Sequence, residues 1–114
     1  MQDLFSVKGK VVLVTGGSKG LGKMIAEAFV RSGSKVYITA RHGVVVEETA
    51  QELSKYGSCI GIENDISSLE GVNALVEEIE SKEGNLDVLI NNAATGWHEP
   101  LSLIHISEPT RQWQ

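Results

Sequence analysis

Short, wholly apolar runs alternate with amphipathic helical stripes along this chain, and that alternation restricts the fold more than any other feature. Val11-Val12-Leu13-Val14 is too short for a helix and apolar on both faces, as a strand in the middle of a parallel sheet must be. Leu21, Ile25, Ala28 and Phe29 then fall on one face of a first helix, which Gly33 can end as a left-handed cap. Lys35 to Ala40, rich in β-branched and aromatic residues, supplies a second strand. Val46, Ala50 and Leu53 mark a second helical face, closed by Gly57, and Ser58 to Asn64 reads as a third strand. Ser67 and Glu70 have the spacing of a capping box before a third helix, whose inward stripe is Val72, Leu75, Val76 and Ile79. Asp87 to Asn91 completes a fourth strand. Strands alternating with helices in this way build an α/β, doubly wound parallel sheet, and right-handed crossovers favour the strand order 3-2-1-4. Ligands then bind at the carboxyl ends of strands one and four, where the winding reverses.

At 114 residues the chain forms one folding unit at most. Ten basic against fifteen acidic side chains leave a formal charge of −5, which opposes attraction to nucleic acid or to an anionic membrane surface. No apolar run approaches the roughly 20 residues that cross a bilayer, and the first residues lack the pattern of a secretory signal. A cytoplasmic location is therefore expected. One cysteine, Cys59, permits neither an internal disulfide nor a metal cage, and its strand-like surroundings predict a buried, inert thiol. The acidic residues Glu77, Glu78 and Glu80, with Lys82, read as the solvated side of the third helix.

The chemistry concentrates in Thr15-Gly16-Gly17-Ser18-Lys19-Gly20-Leu21-Gly22, between the first strand and the first helix. Gly16 can turn sharply with positive φ, Gly20 lets backbone approach a pyrophosphate, and Gly22 lets the helix pack against the sheet. Free N–H groups opening the helix, at the positive end of its dipole, then face the phosphates. A rival phosphate motif overlaps: Gly17 to Lys23 satisfies the first seven positions of a nucleoside-triphosphatase P-loop. Its eighth position is Met24, where a hydroxyl must hold magnesium, and strand four ends in Asn91 rather than a metal-binding Asp. Those departures leave a P-loop nucleoside-triphosphatase as a remote alternative, and no metal site is expected.

The glycine motif, followed after the fourth strand by Asn91-Asn92-Ala93-Ala94, resembles the short-chain dehydrogenase/reductase superfamily from about Lys8 to Leu101. The resemblance implies the N-terminal part of a Rossmann fold that binds a nicotinamide dinucleotide. It places Gly16, Ser18, Lys19, Gly20, Leu21 and Gly22 on the pyrophosphate, Asp65 and Ile66 at the adenine, and Asn92 and Ala93 under the cofactor ribose. Ala94 stands where glycine is commoner. The string Asn92 to Leu101 is similar to the same loop in the β-ketoacyl reductases of rhamnolipid synthesis, so Trp97, His98 and Glu99 are expected to form a loop over the pocket rather than a metal site. An acidic residue ending the second strand would accept from a ribose 2′-OH and repel a 2′-phosphate, but Ala40-Arg41-His42 stands there. Arg41 offers a guanidinium fork and Lys19 a second cation, so NADP(H) is expected over NAD(H).

Reductases of this family resemble one another in a Ser and a Tyr-x-x-x-Lys beyond the Asn-Asn-Ala segment, where the ammonium lowers the pKa of a proton-donating tyrosine. Neither tyrosine here fits, because Arg41 lies four residues after Tyr37 and Ile60 four after Tyr56. No catalytic residue is therefore assigned, and this chain is expected to lack turnover. Leu101 to Arg111 resembles, letter for letter, the translation of a transposase adapter used to prepare sequencing libraries. Residues 1–100 are accordingly expected to be a partial NAD(P)-binding domain and residues 101–114 a non-native tail, which would leave strand four with an open edge. The parent protein is expected to be a homo-oligomeric carbonyl reductase or alcohol dehydrogenase acting on a small molecule. A cofactor-binding or regulatory module without chemistry is the alternative.

Overall fold

The computed structural model describes residues 7–64, 69–92 and, as backbone, 102–105. The strands are β1 (Val11–Thr15), β2 (Lys35–Ala40), β3 (Ser58–Glu63), β4 (Val88–Asn91) and β5 (Ser102–His105); the helices are α1 (Gly20–Arg31), α2 (Gly43–Leu53) and α3 (Leu69–Glu83). The sheet runs β3-β2-β1-β4-β5. β1 pairs in parallel with β2 on one side and with β4 on the other, and β2 pairs in parallel with β3. The expected 3-2-1-4 winding is therefore the observed one, and it reverses between β1 and β4.

Alternation along the strands sorts the core into two layers. Val12, Val14, Val36, Ile38, Val88 and Ile90 pack beneath α1 and α2, together with Ala26, Val30, Val46, Ala50 and Leu53. Val11, Leu13, Tyr37 and Leu89 face the opposite way, against Val72, Leu75, Val76 and Ile79 of α3. Both layers exclude water from β1, whose residues are all buried, so its continuous apolar run marks the centre of the sheet. Cys59 belongs to the first layer, and burial pushes its thiol up to about 11, which leaves it protonated and inert as expected.

The expected stripes of α2 and α3 are the buried ones, but that of α1 is displaced by one residue. Gly22, Ala26 and Val30 are its buried positions, Ile25 and Phe29 flank them half-buried, and Leu21 and Ala28 are exposed. Small residues at Gly22 and Ala26 let this helix lie close to the sheet, whereas a hydrophobicity pattern weights the larger Leu21. Gly33 ends α1 with φ at 91°, the left-handed cap anticipated for it. Gly57 does not close α2, which stops at Leu53 with Ser54 as its cap. Its missing side chain instead admits the Val30 carbonyl, which a Cβ would approach to 2.8 Å.

The edge of β4, expected to be bare, is paired. β5 lies antiparallel against it, matching Val88 with His105 and Asn91 with Ser102. An unpaired strand edge offers a row of backbone donors and acceptors, and Ser-Leu-Ile-His is compatible with extended structure whatever its origin. At the other end of the strands Asp87 joins β4 to β1, its Oδ2 accepting from the Val11 N–H at 2.8 Å.

Candidate cofactor-binding site

The carboxyl ends of β1, β2 and β4 meet at Thr15, whose backbone neighbours are Thr39 and Asn91. The Thr15 hydroxyl donates to Asn91 Oδ1 at 2.9 Å and accepts from the Asn92 N–H at 2.9 Å, locking the start of the glycine turn to the end of β4. Thr39 holds the other side. Its hydroxyl accepts from Gly16 N–H at 3.3 Å and its carbonyl from Gly17 N–H at 3.2 Å. A strand end thus becomes a fixed platform for the turn.

The turn adopts the geometry its glycines allow. Gly16 and Gly20 have φ of 68° and 62°, in the left-handed region, and a Cβ on Gly20 would meet none of the described residues within 4 Å. A larger residue at position 20 is thus opposed by its backbone and by whatever occupies the open space above it. Gly22 is packed tightly as well. A Cβ on it would clash with the Gly16 carbonyl oxygen and stand 2.5 Å from Asn92 Nδ2, so α1 approaches the carboxyl end of the sheet closely at this residue. Asn92 Nδ2 reaches the Gly16 carbonyl at 3.5 Å, and Gly16, Gly22 and Asn92 form one packed cluster. A Cβ on Gly17 would likewise stand 2.8 Å from Ile38 Cγ2.

α1 opens at Gly20 with Lys19 as its extended N-cap residue, and neither a side-chain cap nor an acidic residue occupies its first turn. The N–H groups of Gly20 and Leu21, at the positive end of this helix, are placed to meet an anion. Ser18 is pinned from the side by α2, where the buried Thr49 hydroxyl donates to the Ser18 carbonyl at 2.9 Å. Sequence reading missed Thr49, because a lone threonine inside an amphipathic helix carries no local signal. Lys19 is exposed, Leu21 is 52% exposed, and Arg41 is exposed in the short link between β2 and α2. Neither Lys19 nor Arg41 has an ion-pair partner among the described residues. Lys23, the lysine a P-loop would need, is held away by an ion pair with Glu52 of α2 at 2.8 Å. That lysine holds the Glu52 carboxyl below its usual range. Met24 is 68% exposed and supplies no hydroxyl. Asp65, Ile66 and Ala93, with Ser67, Trp97, His98 and Glu99, lie outside the described residues.

A family model, short chain dehydrogenase, matches residues 10–113. The chain belongs to the short chain dehydrogenase family. Short chain dehydrogenases are oxidoreductases, and the parallel sheet and glycine turn described above are a Rossmann-type half of that fold. The chain is 40% identical over 114 residues to a rhamnolipids biosynthesis 3-oxoacyl-acyl-carrier-protein reductase of Pseudomonas aeruginosa, an alignment covering 100% of this chain and 43% of that protein. To the short chain dehydrogenase/reductase dpfgG of Gibberella zeae it is 46% identical over 92 residues, covering 81% of this chain and 34% of the relative. Among solved structures, the Pseudomonas aeruginosa RhlG/NADP active-site complex matches with a TM-score of 0.76 and 42% identity, over 85% of this chain and 38% of that one. L-sorbose reductase from Gluconobacter frateurii, complexed with NADPH and L-sorbose, matches with a TM-score of 0.73 and 38% identity, over 82% of this chain and 36% of the other. The present chain thus spans less than half the length of these short chain dehydrogenases. Among the described residues no helix is long and apolar enough to cross a membrane, and no group of three or more metal-ligating side chains occurs.

Proposed function

We propose that this chain is the NADP(H)-holding part of a carbonyl reductase or alcohol dehydrogenase that acts on a small organic or acyl substrate. The observation that carries the proposal is the packed cluster of Gly16, Gly22 and Asn92 beneath a left-handed Gly20 with open space above it, at the uncapped start of α1. Those residues fit a diphosphate: the backbone there is close to the ligand path, rich in donors and free of side-chain bulk. Bound NADP(H) supplies the hydride or accepts it. This chain's own work is to hold and select. Gly16, Ser18, Lys19, Gly20, Leu21 and Gly22 cradle the diphosphate, Arg41 with Lys19 takes the 2′-phosphate, and Asp65 and Ile66 meet the adenine. Asn92 and Ala93 run under the ribose. Support for NADP(H) comes from the Arg41 guanidinium, which has no ion-pair partner among the described residues, and from relatives whose solved structures hold NADP or NADPH.

The sequence contains no Tyr-x-x-x-Lys, so the same proposal has the chain bind the coenzyme without turning it over. Residues 1–100 then constitute the cofactor unit and residues 101–114 an appended tail, a division supported by the adapter resemblance of Leu101 to Arg111. Calorimetric titration of the monodisperse 114-residue chain with NADPH and NADH is the test. Saturable binding of NADPH that exceeds binding of NADH supports the proposal, and absence of heat with both overturns it.

A further inference from the structure

β3 ends on Glu63, and the strand register sets that residue level with Ala40, the last residue of β2 before Arg41. The pairing continues one step further, with Asn64 N–H donating to the Ala40 carbonyl at 3.0 Å. The Glu63 side chain leans across this end of the sheet onto α2. A Cβ on Gly43, the first residue of that helix, would stand 2.9 Å from Glu63 Oε1 and 3.2 Å from its carboxyl carbon. The carboxylate therefore rests on the space that Gly43 leaves empty.

α2 begins there without help of its own. His42 makes no side-chain cap, and the first turn contains no acidic residue. Glu63 is thus the negative charge brought to the positive end of α2 from a neighbouring strand. It forms no ion pair with Arg41 among the described residues, so the guanidinium stays available although a carboxylate stands on the adjoining residues. An acidic group in this neighbourhood has a known physical consequence in dinucleotide sites: it accepts from a ribose 2′-OH and opposes a 2′-phosphate. Along the chain that group is missing, since β2 ends in Ala40. In space it is delivered by β3.

On the assumption that Arg41 takes the 2′-phosphate, we infer that Glu63, seated on Gly43 at the mouth of α2, is a specificity-determining residue that works against Arg41 and narrows the preference for NADP(H) over NAD(H). Arg41 attracts the extra phosphate, and Glu63 repels it while tolerating a hydroxyl. The balance of the two sets the ratio of affinities.

Two variants of the full 114-residue chain test this by different routes, with dissociation constants for NADPH and NADH measured by calorimetry. Glu63→Gln removes the charge and keeps the shape. Gly43→Ala keeps the charge and pushes the carboxylate out of its seat by the added methyl. Each variant is expected to raise the NADPH preference about three- to fivefold, the range of a partly screened charge contact, and the gain should shrink in high salt. An unchanged NADPH to NADH ratio in both variants, in a chain that still binds NADPH, overturns the role of Glu63 and leaves the cofactor assignment standing. A parent chain that binds neither coenzyme overturns the cofactor assignment, and the role of Glu63 with it.

Discussion

Gly20 and Gly22 lie two residues apart in one turn, yet the structure gives them opposite reasons for being glycine. Gly20 needs a left-handed φ of 62° and a Cβ there would meet none of the described residues within 4 Å, whereas Gly22 has no room beside the Gly16 carbonyl. Gly20→Ala is therefore expected to cost about 1 kcal/mol of stability through backbone strain alone. Gly22→Ala must move backbone or Asn92, and is expected to cost about 1–3 kcal/mol while disturbing the turn. Urea denaturation of the two variants separates the cases, and a Gly22 variant as stable as the parent would refute the packing account. Arg41→Asp addresses selection at the same scale: the NADPH dissociation constant should rise roughly tenfold or more while that for NADH changes far less, since only one coenzyme carries the 2′-phosphate. Both glycines and the arginine were legible in the sequence because their signal is local. Thr39 and Glu63 were not, because their significance depends on which strand ends lie side by side.

α1 shows where periodicity stops being informative about an element. Leu21, Ile25, Ala28 and Phe29 and the set Gly22, Ala26 and Val30 both repeat at helical spacing, and hydrophobicity alone favours the first. Depth in the core favours the second, since a helix that follows a tight glycine turn approaches the sheet through its smallest side chains. Ala26 is fully buried and Ala28 exposed, so Ala26→Leu is expected to lose about 1–3 kcal/mol by overpacking, and Ala28→Leu to stay within about 0.5 kcal/mol of the parent. Equal stability of the two leucine variants would return the helix to the register expected from sequence. α2 carries a second such test. Thr49→Val removes the donor to the Ser18 carbonyl and should cost about 1–2 kcal/mol, with weaker binding of NADPH and NADH alike. Equal loss for both coenzymes separates a loop-positioning threonine from a selector such as Arg41.

Across the whole molecule the sheet has a chemical end and a structural end. At the structural end Tyr37, buried in the α3 layer, donates its hydroxyl to Glu83, which also pairs with Lys35 at 2.9 Å. Burial, reinforced by the neighbouring carboxylate, pushes the Tyr37 phenol up to about 12. The same hydroxyl, followed by Lys35, holds the Glu83 carboxyl below its usual range. The two shifts act on opposite limbs of the pH profile. Tyr37 has a folded pKa above its unfolded value near 10, so its contribution is complete below about pH 10 and is lost as pH rises towards 12. Glu83 has a depressed folded pKa, so its contribution is present above the unfolded value near 4.5 and is lost as pH falls through the lower folded value. Tyr37→Phe should therefore flatten the alkaline limb of stability measured by thermal melts between about pH 9 and 12. An alkaline limb identical to the parent's would exclude Tyr37 as its source.

What the sequence determined by itself was the order of elements, the parallel winding and the glycine turn, because each rests on short-range rules: apolar runs too short for a helix, stripes at helical spacing, and backbone conformations open only to glycine. Tertiary structure decided what depends on neighbours distant along the chain. It chose which face of α1 is buried, turned Gly57 from a helix end into a contact with Val30, laid Ser102–His105 along β4, and set Glu63 on Gly43 beside Arg41. The physical reason is the same in each case. Local propensity acts over a turn or a strand, whereas burial and charge proximity are properties of surfaces that exist only once β1, β2, β3 and β4 have been brought side by side.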